Sequence, residues 1–229
     1  GKDYEEHQRV LDMSSKDIEF GAVKLIKRPD IKNINDWNRA IVYDLGDYIE
    51  TDYAILIHAD GYIINPELWN PDWLRFDFIG APWPLPQDDF SYRDIYGTIQ
   101  RVGNSVSLRS KKLMQLPKNL GMEWRSWHGF YNEDGYICVN MRHVFEEHGC
   151  KFAPLEVAVH FSKEHEIFEN NGQKTMLHGC NWSECLYYGG AIFFGALGFA
   201  LVVEGLFGQF NIGFRAGFVS YLLGFLFLG

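Results

Sequence analysis

Cysteine is scarce in this sequence, and a secretory leader is not visible in it. The four cysteines form no Cys-x-x-Cys pair, which argues against a zinc finger, and four thiols in 229 residues do not make a disulfide scaffold. The first residues contain no basic segment followed by an apolar stretch. These absences predict a cytoplasmic protein whose thiols are reduced.

Lysine and arginine are too few and too scattered for a nucleic-acid binder. The formal net charge is -9 at pH 7, and no run of basic residues supplies the positive face that a phosphate backbone requires. With 22% charged and 16% aromatic residues, the composition excludes disorder, collagen-like repeats and coiled coils. The sequence therefore predicts a folded, aromatic-rich domain that has no nucleic acid as a partner.

Charge is almost absent from residues 186–229. Glu204 and Arg215 are the only charged residues of this segment, so the net charge belongs to residues 1–185. Residues 186–203 are uncharged and reach the length that a membrane-spanning helix needs. The sequence therefore predicts a domain over residues 1–185 and an apolar helical tail over 186–229. Two interpretations of the tail stay open: a transmembrane hairpin that holds the protein at a membrane, or a gene-model artefact.

The apolar pattern of residues 1–185 predicts an α/β domain. A strand over 20–26, a helix that is capped near Asn33 and a nearly unbroken apolar strand over 53–57 follow one another, which indicates a mostly parallel central sheet flanked by helices. The remaining predicted elements are a helix over 2–15, an extended aromatic loop over 75–86, a strand over 102–108, a helix over 136–148 and a strand over 153–161.

Polar residues stand where several of these elements end. Asp60 follows the strand over 53–57, and ligands of open α/β sheets bind beyond the carboxyl ends of strands. Asp60 also precedes a glycine, as in an ordinary turn. Glu133 and Asp134 begin a predicted helix, where carboxylates also stabilise the N-terminus without any catalytic role. Taken alone, each residue therefore has a structural as well as a functional interpretation.

Three motifs, taken in order, resemble a known family. They are Phe76-Asp77-Phe78-Ile79-Gly80-Ala81-Pro82-Trp83, Gly103-Asn104-Ser105-Val106-Ser107-Leu108-Arg109-Ser110 and Asn132-Glu133-Asp134. Together they resemble an uncharacterised family of glycosyltransferase-like domains with a type A (GT-A) fold, found in polysaccharide-related gene sets. The resemblance runs from about residue 18 to residue 182 and implies transfer of a sugar from a nucleotide-sugar donor to a glycan or other acceptor. It also implies that the first strand of such a fold is missing.

The resemblance implies catalytic and metal-binding roles for particular residues. Asp134 resembles the catalytic base of inverting members, and Glu133 an acceptor-binding or positioning residue. In GT-A enzymes an Asp-x-Asp motif holds a divalent cation, and here His58 stands in place of the first Asp. The resemblance therefore implies an Mn2+ or Mg2+ site formed by Asp60 and His178, and both metal-dependent and metal-independent catalysis stay open.

The resemblance also implies a donor site. The backbone N–H groups of Gly103, Asn104 and Ser105 would lie near the donor sugar, and Arg109 near its phosphates.

Aromatic side chains are the predicted acceptor contacts. Flat apolar faces suited to sugar rings are offered by Trp83, Trp124, Trp127 and Tyr131, although each also has an ordinary explanation in core or loop packing. Two alternatives to an enzyme remain, namely an inactive carbohydrate-binding or scaffold domain of the same fold, and a membrane-anchored protein whose domain only binds partners.

Overall fold

The computed structural model describes residues 2–125, 132–179 and 222–228. The predicted α/β class is confirmed, because helices pack against a five-stranded and a three-stranded sheet. The elements are α1 Lys2–Ser14, β1 Ala22–Lys27, α2 Ile34–Arg39, β2 Tyr53–Ile57, β3 Gly61–Ile63, β4 Phe78–Pro82, β5 Val102–Ser110, α3 Lys111–Leu120, α4 Glu133–Gly135, α5 Arg142–Glu147, α6 Leu155–Phe161, β6 Ser162–Lys163, β7 Leu177–Gly179 and β8 Leu222–Leu228.

The five-stranded sheet has the order β1-β8-β2-β5-β4, and its neighbouring strands are antiparallel throughout. The prediction of a mostly parallel central sheet is therefore wrong for this sheet. β1, β2 and β4 nevertheless run in one direction, because β8 and β5 lie between them in the opposite direction. α2 thus connects two strands of the same direction, as the sequence indicates, but these strands are not neighbours. The smaller sheet, β3-β7-β6, contains a parallel pair, β6 with β7.

Part of the predicted apolar tail forms a strand rather than a helix. Leu226 of β8 lies opposite Val23 of β1 and Ile55 of β2, so β8 pairs along both of its edges. The backbone N–H and C=O groups of β8 therefore form hydrogen bonds with neighbouring strands, whereas in a helix they would form them within the helix itself. Residues 186–221 and 229 of the tail lie outside the described residues.

No helix in the described ranges has the length and apolar character needed to cross a membrane.

The sheet is buried on both faces, as β2 shows. Ile55 and Ile57 pack in a cluster that also contains Leu11 of α1 and Phe161 of α6. Successive side chains of a strand point to opposite faces, so Leu56 packs on the other side with residues of the α2 region. Helices therefore cover both faces of the sheet, and the unbroken apolar run of β2 follows from this position.

Helix α2 begins where its sequence predicts. The Asn33 side chain accepts hydrogen bonds from the backbone N–H groups of Asn35 and Asp36, at 2.9 and 3.0 Å. Such a cap satisfies donors that have no partner inside the helix. Beyond α2 the chain continues as a π-helical turn, Ala40–Asp44, and a 3-10 turn, Leu45–Tyr48.

Two predicted elements are wrong. The segment predicted as a strand over 153–161 forms helix α6, in which Ala158, Val159 and Phe161 are buried. Pro154 precedes this helix with a φ of -74°, a conformation that suits a helix start. The aromatic loop predicted over 75–86 contains strand β4, which pairs with β5 and is buried along its whole length.

Candidate functional site

A cavity of about 360 Å³ opens between the segment that follows β4 and the start of α4. Its lining combines aromatic rings, carboxylates and small polar groups: Trp83, Asp88, Phe90, Ser91, Tyr92, Asn132, Asp134 and Gly135. This mixture of apolar faces and a few polar groups is typical of small-molecule sites. A larger groove of about 490 Å³ is lined by residues of α1 and Lys16 and contains none of the predicted site residues.

Asp134 is the predicted catalytic base, and it lies in the wall of this cavity. Its Oδ1 accepts a hydrogen bond of 2.8 Å from the backbone N–H of Gly135. Burial, followed by the negative charge of Glu133, raises the pKa of Asp134 to about 7. A carboxylate that titrates near neutral pH is well suited to accept a proton during a reaction.

Glu133 is buried and is not among the residues that line the cavity. The hydroxyl of Ser105 donates to its Oε1, and Nη2 of Arg109 lies 3.6 Å from the same oxygen. The backbone N–H of Glu133 donates to Oδ1 of Asn38 at 3.1 Å. These contacts join the start of α4 to β5 and α2, so Glu133 holds the chain next to Asp134 in position.

Arg109 lies on β5, one residue beyond the end of the strand predicted over 102–108. Its side chain is completely buried, with Nε donating to Oγ of Ser107 at 2.8 Å and Cζ 5.3 Å from the centre of the Phe78 ring. Burial lowers the pKa of Arg109, while the charge of Glu133 opposes this effect. The neighbour of this guanidinium is therefore a carboxylate, and the predicted contact with a donor phosphate stays a prediction.

The three residues with a predicted backbone contact to the donor sugar, 103–105, lie within strand β5. Gly103 pairs with Ala81 of β4, and Asn104 adopts a φ of +82° while its Oδ1 accepts from the backbone N–H of Val106 at 2.7 Å. A Cβ atom on Gly103 would lie 1.8 Å from Cζ2 of Trp83, so only glycine allows this approach. The hydroxyl of Ser105 donates a hydrogen bond to Glu133. A donor contact by these three residues stays a prediction.

Trp83 lines the cavity but is only 6% exposed. Its indole stacks with the ring of Tyr92, with centroids 4.8 Å apart and an interplanar angle of 14°. The backbone of Gly103 lies against its six-membered ring. A sugar therefore cannot stack on the face that Tyr92 covers, and the aromatic surface of this wall comes instead from Tyr92 and from Phe90, which is 54% exposed.

The two predicted metal ligands are not among the residues that line the cavity. Asp60 is in the turn between β2 and β3 with 61% of its side chain exposed, and Nδ1 of His58 is 4.0 Å from its Oδ1. His178 of β7 lies opposite Tyr62, two residues beyond Asp60. Among the described residues, no group of three or more His, Cys, Asp and Glu side chains could hold a metal ion. The two-ligand site stays a prediction.

Two further predicted acceptor contacts, Trp127 and Tyr131, lie outside the described residues. Trp124 packs against Tyr136, with ring centroids 5.0 Å apart, and is not among the residues that line the cavity.

The other wall of the cavity, formed by residues 88–92, was not predicted from the sequence. Oδ1 of Asp88 accepts hydrogen bonds from the backbone N–H groups of Phe90 and Ser91, at 3.0 and 2.5 Å. An aspartate that precedes a serine in a loop is a common turn signal, so the turn itself was visible in the sequence. The turn at Asp88 lines the same cavity as Asp134 because of the path of the whole loop. No local sequence pattern predicts that path.

Comparison with known proteins assigns most of this chain to one family. Residues 24–180 match DUF5672, a family described as protein of unknown function. No curated protein and no solved structure matches the chain. The matched residues contain Asp60, Asp134 and His178 as well as the described residues that line the cavity. Since the match covers more than half of the chain, the protein belongs to the DUF5672 family.

Proposed function

We propose that this chain is a glycosyltransferase with a GT-A-like domain, which moves a sugar from a nucleotide-sugar donor to a glycan or other acceptor. The observation that carries the proposal is the carboxylate of Asp134, which has a pKa of about 7 and lies in the wall of a cavity with exposed aromatic surface. The motif resemblance suggests the reaction class, and the position of Asp134 in the wall of a cavity supports it.

Asp134 acts as the general base in this proposal. Its ionised carboxylate accepts the proton of the acceptor hydroxyl while the hydroxyl oxygen attacks the anomeric carbon of the donor. The bond between that carbon and the diphosphate oxygen breaks, and the nucleoside diphosphate leaves with the electron pair. Glu133 acts only through its buried contacts with Ser105, Arg109 and Asn38, which hold Asp134 at the cavity wall.

A divalent cation would be held by Asp60 and His178. Mn2+ or Mg2+ bound there would stabilise the negative charge of the leaving diphosphate. One carboxylate and one imidazole fit such an ion if phosphate oxygens and water supply the other ligands, and the exposed Asp60 leaves room for them. Metal-independent transfer remains the alternative, because His58 stands in place of the first Asp.

The test is release of nucleoside diphosphate by the whole chain. UDP-, GDP-, CDP- and dTDP-sugars are incubated with a panel of glycans, with and without Mn2+. We expect one donor to be used, and Asp134→Asn to lower turnover by about 100-fold or more. Asp89→Asn changes an exposed carboxylate that does not line the cavity and should retain activity. Equal turnover in both variants would exclude Asp134 as the base.

An inactive carbohydrate-binding domain is the second candidate. It is favoured by the exposure of Asp60 and by the lack of a third nearby metal ligand among the residues described. Melting temperatures with UDP, GDP, CDP and dTDP distinguish the two candidates, since a ligand that binds only the folded state raises them. A shift with one nucleotide favours the enzyme, and a shift with a glycan alone favours the binding domain.

A further inference from the structure

Strand β8 lies between two strands that run in one direction. Residues 222–227 pair with β1 and residues 224–228 pair with β2, antiparallel in both cases. A strand that pairs along both edges satisfies backbone groups of two neighbours at once. The position that β8 fills, between Ala22–Lys27 and Tyr53–Ile57, is the β1–β2 groove.

The residues that match the family do not fill this groove themselves. The match ends at residue 180, whereas β8 begins at Leu222. Among the described strands, β8 is the only partner of β1, so a segment beyond the matched residues joins β1 to the sheet. The groove therefore needs an occupant that the matched part of the chain, where it is described, does not supply.

The groove is suited to an extended apolar segment. Leu25 of β1 packs in the cluster on one face of the sheet, and Ile26 packs in the cluster on the other face. On the β2 side, Ile55 and Leu56 are 0% exposed and belong to the same two clusters. A charged side chain in the middle of the groove would leave water for apolar surroundings, which is costly.

Recognition in the groove depends on the backbone. The sequence of β8 is Leu-Leu-Gly-Phe-Leu-Phe-Leu, which contains no charged or hydrogen-bonding side chain. Main-chain hydrogen bonds then supply the affinity, as they do where an extended peptide adds a strand to a sheet. These contacts are the same whether the segment belongs to the chain itself or to a second copy.

We propose that the β1–β2 groove also binds residues 222–228 of a second copy, which gives a strand-exchanged dimer at high protein concentration. Attachment to the same chain favours the chain's own segment, but this advantage falls as the connecting chain becomes longer. Residues 180–221 lie between β7 and β8, so the connection is long. Exchange of an identical element between two copies costs little, because it forms the same contacts again.

The experiment traps the exchanged strand as a disulfide between two full-length chains. One chain carries Val23→Cys and the other Leu226→Cys, because these residues lie opposite each other in the β1–β8 pair. Opposite residues of antiparallel strands have Cα atoms about 4.5–5.5 Å apart, a separation that a disulfide spans. We expect a disulfide-linked heterodimer whose yield rises with protein concentration. Peptide mapping distinguishes its bond from any bond of the four native cysteines.

The matched control uses Phe225→Cys in place of Leu226→Cys. Neighbouring residues of a strand point to opposite faces, so Phe225→Cys places its thiol away from that of Val23→Cys and should give at least about tenfold less heterodimer. A synthetic peptide of residues 222–228 with lysines added at both ends should compete and lower the yield of the matched mixture. The same peptide with Phe225→Pro should compete less, because proline cannot donate a backbone hydrogen bond.

A single chain that carries both Val23→Cys and Leu226→Cys tests the pairing within one copy. It should form its internal disulfide even at high dilution. An internal disulfide together with equal heterodimer yields from the matched and control mixtures would overturn the inference, since the groove would then accept only its own strand. A matched yield that the peptide leaves unchanged would also overturn it. So would the lack of an internal disulfide, because β8 would then not lie beside β1.

Discussion

Nη2 of Arg109 lies 3.6 Å from Oε1 of Glu133, and the two side chains are 0% and 1% exposed. The pair joins strand β5 to the start of α4, which carries Asp134. Removal of two charges from water is costly, so such a pair is stable only while both partners are present. Loss of one partner leaves an uncompensated buried charge.

Arg109→Met should therefore lower the free energy of unfolding by about 3–5 kcal/mol. The double variant Arg109→Met with Glu133→Gln should be more stable than Arg109→Met alone, because it removes the orphaned charge and keeps an acceptor for the Ser105 hydroxyl. Urea denaturation followed by circular dichroism measures both values.

The exposed pair between Lys118 and Asp47 is the control for this prediction. Its charged atoms are 2.5 Å apart, but the side chains are 55% and 53% exposed. Lys118→Met should cost less than about 1 kcal/mol, since water already solvates both charges. If Arg109→Met and Lys118→Met lower the free energy of unfolding by similar amounts, an unpaired charge left at the buried site costs no more than one left at the surface.

The raised pKa of Asp134 predicts a pH-dependent stability. Its pKa is about 7 in the folded protein and 3.8 in its ordinary state, so the folded chain holds this proton more tightly than the unfolded chain. Protonation of Asp134 therefore stabilises the folded chain. This stabilisation is fully present below pH 3.8 and is lost as the pH rises to about 7. Between these values the free energy of unfolding should fall by at most about 1.4 kcal/mol per pH unit from this group.

Denaturation curves of the parent protein and of Asp134→Asn, recorded from pH 4 to pH 8.5, test this. The difference in stability between the two proteins should move in favour of the variant as pH rises to about 7 and then become constant. Asp89→Asn should follow the parent protein. If the parent and Asp134→Asn give parallel profiles, the carboxyl group of Asp134 titrates at its ordinary value when the chain is folded.

Local sequence signals predicted several elements of the fold well. β2 has the predicted bounds because its five residues are apolar throughout, and α2 begins at a cap that Asn33 supplies. The pairing of strands had no such signal, since β1 and β2 pair with a segment from the far end of the sequence. Residues 153–161 alternate like a strand, yet residues 155–161 form helix α6, which begins after Pro154 and packs against β4.

The candidate site was predictable only in part. Asp134 was predicted from the resemblance of Asn132-Glu133-Asp134 to a family motif, and it does line the cavity. The burial of Arg109 depends on Glu133, which is distant in sequence, and no local pattern indicates that contact. The stacking of Tyr92 on Trp83 likewise depends on how the loop between β4 and β5 folds back.

Gly103 should tolerate no side chain while Trp83 is present. A Cβ at this position would lie 1.8 Å from Cζ2 of the indole, so Gly103→Ala should cost about 1–3 kcal/mol or more through overpacking. In a Trp83→Leu background the same substitution should cost less, because the smaller side chain leaves room. Urea denaturation of the four proteins gives the coupling energy. Equal costs of Gly103→Ala in the two backgrounds would contradict the contact.

Tyr92 combines a stacked ring with a backbone φ of +57°, a conformation that a Cβ atom disfavours. Tyr92→Ala should lose the stacking on Trp83 and keep the backbone cost, whereas Tyr92→Gly loses the stacking but relieves that cost. We therefore expect Tyr92→Gly to be more stable than Tyr92→Ala by about 1 kcal/mol, the reverse of the usual order of these residues. Tyr92→Phe should keep the stacking and stay close to the parent protein.

Unfolding curves establish this order, and the fluorescence of Trp83 reports the stacking separately. The emission should shift to longer wavelength in both Tyr92→Ala and Tyr92→Gly, because the indole gains contact with water, and not in Tyr92→Phe. Trp83→Phe variants of each protein identify the part of the spectrum that comes from this residue. An alanine variant more stable than the glycine variant would mean that Tyr92 has a negative φ in solution, and the wall that the loop forms opposite Asp134 would then have a different shape.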